Sequence, residues 1–445
     1  MSRKIASQPG RRAIVSEGPP LLRLAVPVII GLMSGTLMGV VDTLMIAPLG
    51  TDALAAIGLA TSALIIVYSG LFGLLSVVAV ALAQAHGAKD QHALAAHLTS
   101  GMVLATMASL TVAGAMVLAF PGFSRLTSSP AVLDALFPYW CAVAAMTVPY
   151  ALFGVFRGLY NAVDRPWAAV WIGLAGVALN IPLNWLLIYE ADLGLLGAGL
   201  ASFAAKSITL VIAIWHWRHA PGIAAHRQTA RFNWAYVLRH VKEGLPVSLG
   251  SLGEGSAYAA TGLMMALFGA VALAANQVVH SIGAIMYMVP MGMTAAVAIR
   301  MGQAVGAREV SRYRPIFLAA NGVVLAWAAL VFAPLLAFRD DIAGALSTDL
   351  EVIALAVPMF MTMAFIQFAD GLQSIALGAL RGQTDNRVPN AITISVYWAV
   401  ALPLAYAVGF VLGLGPSGVL AGYAIGVLTS ALILQARFWK RTRAA

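Results

Sequence analysis

The sequence predicts an all-α polytopic membrane protein, with twelve transmembrane helices in two pseudo-symmetric six-helix bundles around a central cavity. Three observations predict it. The 445 residues are 61% hydrophobic and only 10% charged, whereas soluble domains carry about 25% charged residues. Apolar runs of the roughly 20 residues needed to cross a bilayer recur along the whole chain. The first half is also echoed by the second: laying 27–90 on 246–309 matches about one position in three without a gap, the mark of an internal repeat. Pro27 falls on Pro246, ALAA at 53–56 on ALAA at 272–275, and Gln84, Gly87 and Ala88 on Gln303, Gly306 and Ala307. A weaker echo two residues further out of register pairs Pro182 with Pro403 and Gly197 with Gly418. Six is even, so both halves enter the membrane from the same side, and an axis along the membrane normal relates them. That is the plan of a transporter.

The spans follow in order. Span 1 (21–46) starts after a basic leader and is too long for a signal-peptide core. It carries a ladder of Gly31, Gly35 and Gly39, a spacing that favours close helix packing, and one acid, Asp42. Span 2 (53–84) opens on the repeated ALAA, and His86, His92 and His97 surround the short loop after it, read as solvated. Spans 3 (93–119) and 4 (131–155) follow, the latter with Cys141, the only cysteine, so no intramolecular disulfide forms. Span 5 (167–189) holds LNIPLNW, and span 6 (193–217) holds Lys206. In the second half come span 7 (236–267) with Glu254, span 8 (272–303) with a methionine cluster around Pro290, span 9 (313–337), span 10 (350–378) with Asp370, span 11 (389–412) with Pro403, and span 12 (417–437). Pro27 and Pro246 fall in the first turns of spans 1 and 7, where proline is tolerated.

The formal charge of +9 is a matter of topology. With the N-terminus inside, nearly all 26 Lys and Arg lie in inner segments or at the inner ends of spans, leaving Arg125 and Arg339 outside and Lys206 deep within a span. The basicity therefore does not signal a nucleic-acid partner. The expected segments are a cytoplasmic leader 1–20, a six-helix lobe 21–217, a linker 218–235, a second lobe 236–437 and a cytoplasmic tail 438–445. No HExxH, GxxxxGK[ST] or clustered His/Cys pattern occurs. Neither an enzyme nor a cofactor is expected, and transport would run downhill or on an ion gradient.

The intramembrane polar residues carry the chemistry. A carboxylate at mid-span costs about 2.5–3.5 kcal/mol on insertion scales, so it faces a cavity or a partner. Asp42, Glu254 and Asp370 are such residues. For Asp42 the alternatives are a structural pair with Lys206 or a helix end at the headgroups. Glu254 corresponds by the repeat to position 35, seven residues from Asp42, so both acids look out on nearly the same face of equivalent helices. Asp370 has Gln367 and Gln373 three residues to either side on its own face. Asn180 and Asn184, spaced i,i+4, share a face across Pro182 and make either an oxygen-rich ion site or interhelical glue. Gln277, Gln367, Gln373 and Lys206 are candidates to line a cavity.

VDTLMIAPLG with its following ALAA, the loop Gln84 to Asp90, LNIPLNWLLIY, GLPVSLGSLGEGSAY, IRMGQAVGA and DGLQSIALGALRG together resemble the multidrug and toxic compound extrusion (MATE) family, in its NorM-like branch. The resemblance covers the chain from about residue 20 to its end. It implies a monomeric secondary antiporter in the cell inner membrane, both termini cytoplasmic, whose partners are the lipid bilayer and small cationic or amphipathic drugs. Export would be driven by Na+ or H+. By position, Asp42, Asn180 and Asn184 resemble the family's first-half site for coupling ion or substrate. Glu254 and Asp370 resemble the carboxylate pair that holds the coupling cation, Na+ in the preferred reading. Ile366 stands where related sequences often carry a tyrosine. A flippase or exporter of a lipid-linked or metabolite substrate within the same broad superfamily is the alternative.

Overall fold

The computed structural model describes residues 10–125, 129–221 and 232–444. Residues 1–9 of the expected leader and 222–231 of the expected linker lie outside them. The long helices are α1 (Arg11–Ile46), α2 (Thr51–Gly87), α3 (Gln91–Ala119), α4 (Pro130–Ala162), α5 (Pro166–Trp185), α6 (Gly194–His219), α7 (Trp234–Ala266), α8 (Ala270–Gly306) and α9 (Tyr313–Ala337). A short α10 (Arg339–Leu346) precedes α11 (Leu350–Gly382). The next span is built from α12 (Arg387–Val396) and α13 (Leu402–Tyr406), joined by a π-helical turn, and α14 (Gly415–Ala444) closes the chain. Among the described residues, eleven helices are long and apolar enough to cross a membrane. The twelfth expected span is α7, of 33 residues, whose apolar stretch is diluted by Glu254 and the small polar or glycine residues beside it, Gly250, Ser251, Gly253, Gly255 and Ser256.

The chain forms two compact units. Unit 1 comprises Met1–Ile29 and Leu249–Ala445, and unit 2 comprises Ile30–Ser248. The boundaries fall inside α1 and α7 at positions that the repeat makes equivalent. Within unit 2, Gly73 of α2 lies against the backbone of Ser248, whose hydroxyl donates to the Gly70 carbonyl at 2.9 Å. Within unit 1 the repeat-related Gly292 of α8 lies against Ile29. A side chain at either glycine would strike its neighbour, so these helix pairs approach as closely as backbones allow.

The repeat is written in the backbone. Every described residue with a positive φ has its counterpart in the other half: Gly50 and Gly269 (105° and 102°), Lys89 and Arg308 (56° and 58°), Asp164 and Thr384 (both 58°), Asp192 and Gly413 (51° and 71°), Gly194 and Gly415 (50° and 64°). A π-helical turn, Leu186–Glu190, follows Pro182, and its counterpart Ala407–Val411 follows Pro403. Proline withholds an N–H from the α-helical ladder, and wider π turns accommodate the disturbance. Gly197 packs on the Leu187 carbonyl and Gly418 on that of Val408, so each π turn is braced by the helix that follows it.

Three expectations are corrected. Pro27 and Pro246 are not in first turns: α1 starts at Arg11 and α7 at Trp234, because these helices extend beyond the apolar runs that the sequence makes visible. Both prolines precede the unit boundary by two residues. The glycine ladder is not a packing seam, since Gly35 and Gly39 have no neighbour within 4 Å and Gly31 meets only Val170 at 3.9 Å. Finally, His97 is not solvated. It lies nearly two turns inside α3, 8% exposed, with its Nδ1 3.3 Å from Nε2 of the buried His240.

Candidate functional site: two carboxylate clusters

Unit 2 gathers Asp42 on α1, Asn180 and Asn184 on α5, and Ser202 and Lys206 on α6. Four side chains close a ring. Asn184 Nδ2 donates to Asp42 Oδ1 at 2.7 Å and to Asn180 Oδ1 at 3.1 Å. Asn180 Nδ2 donates to Ser202 Oγ at 3.2 Å, and Ser202 donates to Asp42 Oδ2 at 2.8 Å. Asn180 and Asn184 are fully buried and Ser202 is 4% exposed. The i,i+4 spacing of the asparagines places both on the face of α5 that reaches α1 and α6. Two neutral donors thus solvate a carboxylate that apolar surroundings would otherwise expel. Lys206, one turn after Ser202, is within electrostatic reach of Asp42 and of Arg157. Tyr189 in the first π turn donates to the Met45 carbonyl, fixing α1 one turn beyond its acid. One atom is left over: the buried Asn184 Oδ1 has no hydrogen-bond donor.

Unit 1 gathers a different set. Glu254 of α7 has the Tyr287 hydroxyl of α8 within hydrogen-bonding reach, and the guanidinium of Arg381 on α11 lies within its electrostatic reach. Asp370 of α11 interacts with Glu254 and has the Tyr397 hydroxyl within hydrogen-bonding reach. Gln373 Nε2 donates to Tyr397 at 2.8 Å, so the phenol accepts on one side and is free to donate to the acid on the other. Gln367 Nε2 donates to the Gly283 carbonyl at 2.9 Å. Both glutamines are buried, and the Oε1 of each lacks a donor. Gln277 lies on α8 with its side chain exposed, and Ile366 is buried in the apolar core of unit 1. No described group of three or more His, Cys, Asp or Glu side chains could hold a metal, so any cation here would rest on two carboxylates and neutral oxygens.

The structure brings all five principal residues into these two clusters and adds Ser202, Tyr287, Tyr397 and Arg381. Of these, Arg381 carried a readable signal. It follows Asp370 by eleven residues, three turns of one helix, and so lies on nearly the same face.

An all-helical chain that repeats a six-span plan and buries carboxylates among apolar helices belongs to the class of multi-pass membrane transporters. The MatE family model matches residues 27–186 and 246–407, one block in each repeat, and the chain is a member of this family, in its NorM-like branch. It is 31% identical, over 96% of this chain and 94% of the relative, to the probable multidrug resistance protein NorM of Bradyrhizobium diazoefficiens. Against the probable NorM of Rhodopseudomonas palustris the identity is 32%, over 95% and 92%. Its fold is that of the Vibrio cholerae MATE transporter VcmN in its bent form, with a TM-score of 0.88 at 20% identity, covering 98% of this chain and 99% of that one.

Proposed function

We propose that this protein is a secondary multidrug efflux antiporter of the cell inner membrane, a monomer with both termini in the cytoplasm, that exports cationic or amphipathic compounds in exchange for a cation. The closed ring around Asp42 carries the reading. It keeps a carboxylate inside the membrane, solvated by neutral side chains and accompanied by a buried oxygen with no donor. Such a group can hold either a coupling ion or a cationic substrate, and antiport follows when it cannot hold both.

The coupling ion is Na+, held at Glu254 and Asp370. Sodium is a hard cation that takes oxygen ligands, and the orphaned oxygens of Gln367 and Gln373 flank Asp370 on its own helix. Charge supports the assignment: two carboxylates and one guanidinium leave one negative charge, which a single monovalent cation neutralises. The test is ethidium efflux from proteoliposomes under a sodium gradient or a pH gradient imposed separately, with Glu254→Gln and Asp370→Asn alongside. Efflux driven by pH with sodium silent overturns the sodium assignment. Absence of organic-cation countertransport altogether overturns the antiporter reading in favour of a lipid-linked or metabolite substrate.

A further inference from the structure

Unit 1 contains a second polar group that the acid pair does not use. Tyr258 lies one turn after Glu254 on the same face of α7. Its hydroxyl is 2.9 Å from Nδ1 of His280 on α8, and their ring centroids are 5.1 Å apart. Tyr423 of α14 meets Tyr258 edge-on at 5.9 Å and Tyr397 at 5.7 Å, and Tyr397 reaches Asp370. Tyr258 is itself within electrostatic reach of Asp370. The titratable group that touches His280 is therefore Tyr258 of α7, and through Tyr258 the imidazole is linked to Tyr423 of α14, in ring contact, and to Asp370 of α11, within electrostatic reach. Arg381 faces Glu254 rather than the imidazole.

A tyrosine hydroxyl has one proton to give. While the imidazole is neutral with its hydrogen on Nε2, Nδ1 accepts that proton in a hydrogen bond. A protonated imidazole donates from both nitrogens. The Tyr258 oxygen then accepts from Nδ1–H, and its own proton swings away from the ring. No proton passes between the two residues; one hydrogen bond reverses.

We propose that His280 is a positioning residue for the acid pair: its protonation reverses the bond to Tyr258 and turns the Tyr258 hydroxyl proton toward Asp370, where it competes with the coupling cation. The inference rests on the reading that Glu254 and Asp370 hold that cation. Histidine suits the task because its imidazole changes from one N–H donor to two on protonation.

The test is the half-saturating sodium concentration for ethidium efflux by the full-length protein in proteoliposomes, with pH varied from about 5.5 to 8.5 on each face in turn. In the wild type it rises as pH falls within that range, by up to about tenfold per unit of pH once the imidazole takes up its proton. His280→Gln flattens that rise. Tyr258→Phe keeps the ring and its packing and flattens it equally, and the double variant adds nothing further. A wild-type pH profile in either single variant, or additive effects in the double, overturns the inference. Asp370→Asn separates the two claims. Sodium-driven efflux that survives it removes the acid-pair reading itself, whereas efflux lost in Asp370→Asn beside an unchanged profile in His280→Gln removes only the role of His280.

Discussion

Each oxygen of Asp42 is taken by a different helix, Oδ1 by Asn184 of α5 and Oδ2 by Ser202 of α6. Asp42→Asn nearly preserves volume but removes the charge and turns one acceptor into a donor facing donors. Ethidium export by cells should fall to background at normal expression, and normal efflux by a well-folded variant would refute the assignment. Ser202→Ala removes the donor to Oδ2 and the acceptor of Asn180 together. A hydrogen bond to a charged group contributes about 1.5–3 kcal/mol, so the purified variant should melt at a lower temperature, as followed in detergent, and retain partial efflux. Asn184→Ala should weaken transport less than Asp42→Asn, because it loses a neutral partner. These residues differ in how readily the sequence betrays them. An acid in an apolar run and two asparagines at i,i+4 are legible on their own. Ser202 is not, because serine is common in membrane helices, and its role appears only when α6 is laid beside α1 and α5.

The spans were legible as elements because an apolar run reports the part of a helix that lipid surrounds. Their ends were not, since a helix continues into water on hydrogen bonds that hydropathy does not register; α1 gains ten residues this way and α7 two. The π turns were equally hidden, although the prolines that precede them were plain. Gly197 and Gly418 mark where those turns are braced. Gly197→Ala places a methyl group against the Leu187 carbonyl, and backbone cannot step aside as a side chain does. The variant should melt lower and lose efflux, while Gly39→Ala, on a face with no neighbour within 4 Å, should be neutral or slightly stabilising by helix propensity, about 1 kcal/mol. Equal thermal shifts in the two variants would refute the bracing contact.

At the scale of the whole molecule, the repeat found in the letters reappears as five matched pairs of left-handed backbone positions, which composition alone would not produce. The asymmetry of Lys and Arg then sets sidedness. In a Cys141→Ser background, Asp340→Cys should react with an impermeant thiol reagent added outside intact cells and His219→Cys only after the membrane is opened. Labelling of both from one side would refute the proposed topology. The unit boundaries divide α1 after Ile29 and α7 after Ser248. Each compact unit is completed by the opening half-helix of the other repeat, so neither repeat alone contains all the parts of one. The two repeats are consequently interdependent: cutting the chain at the linker would part each unit from a helix segment that belongs to it.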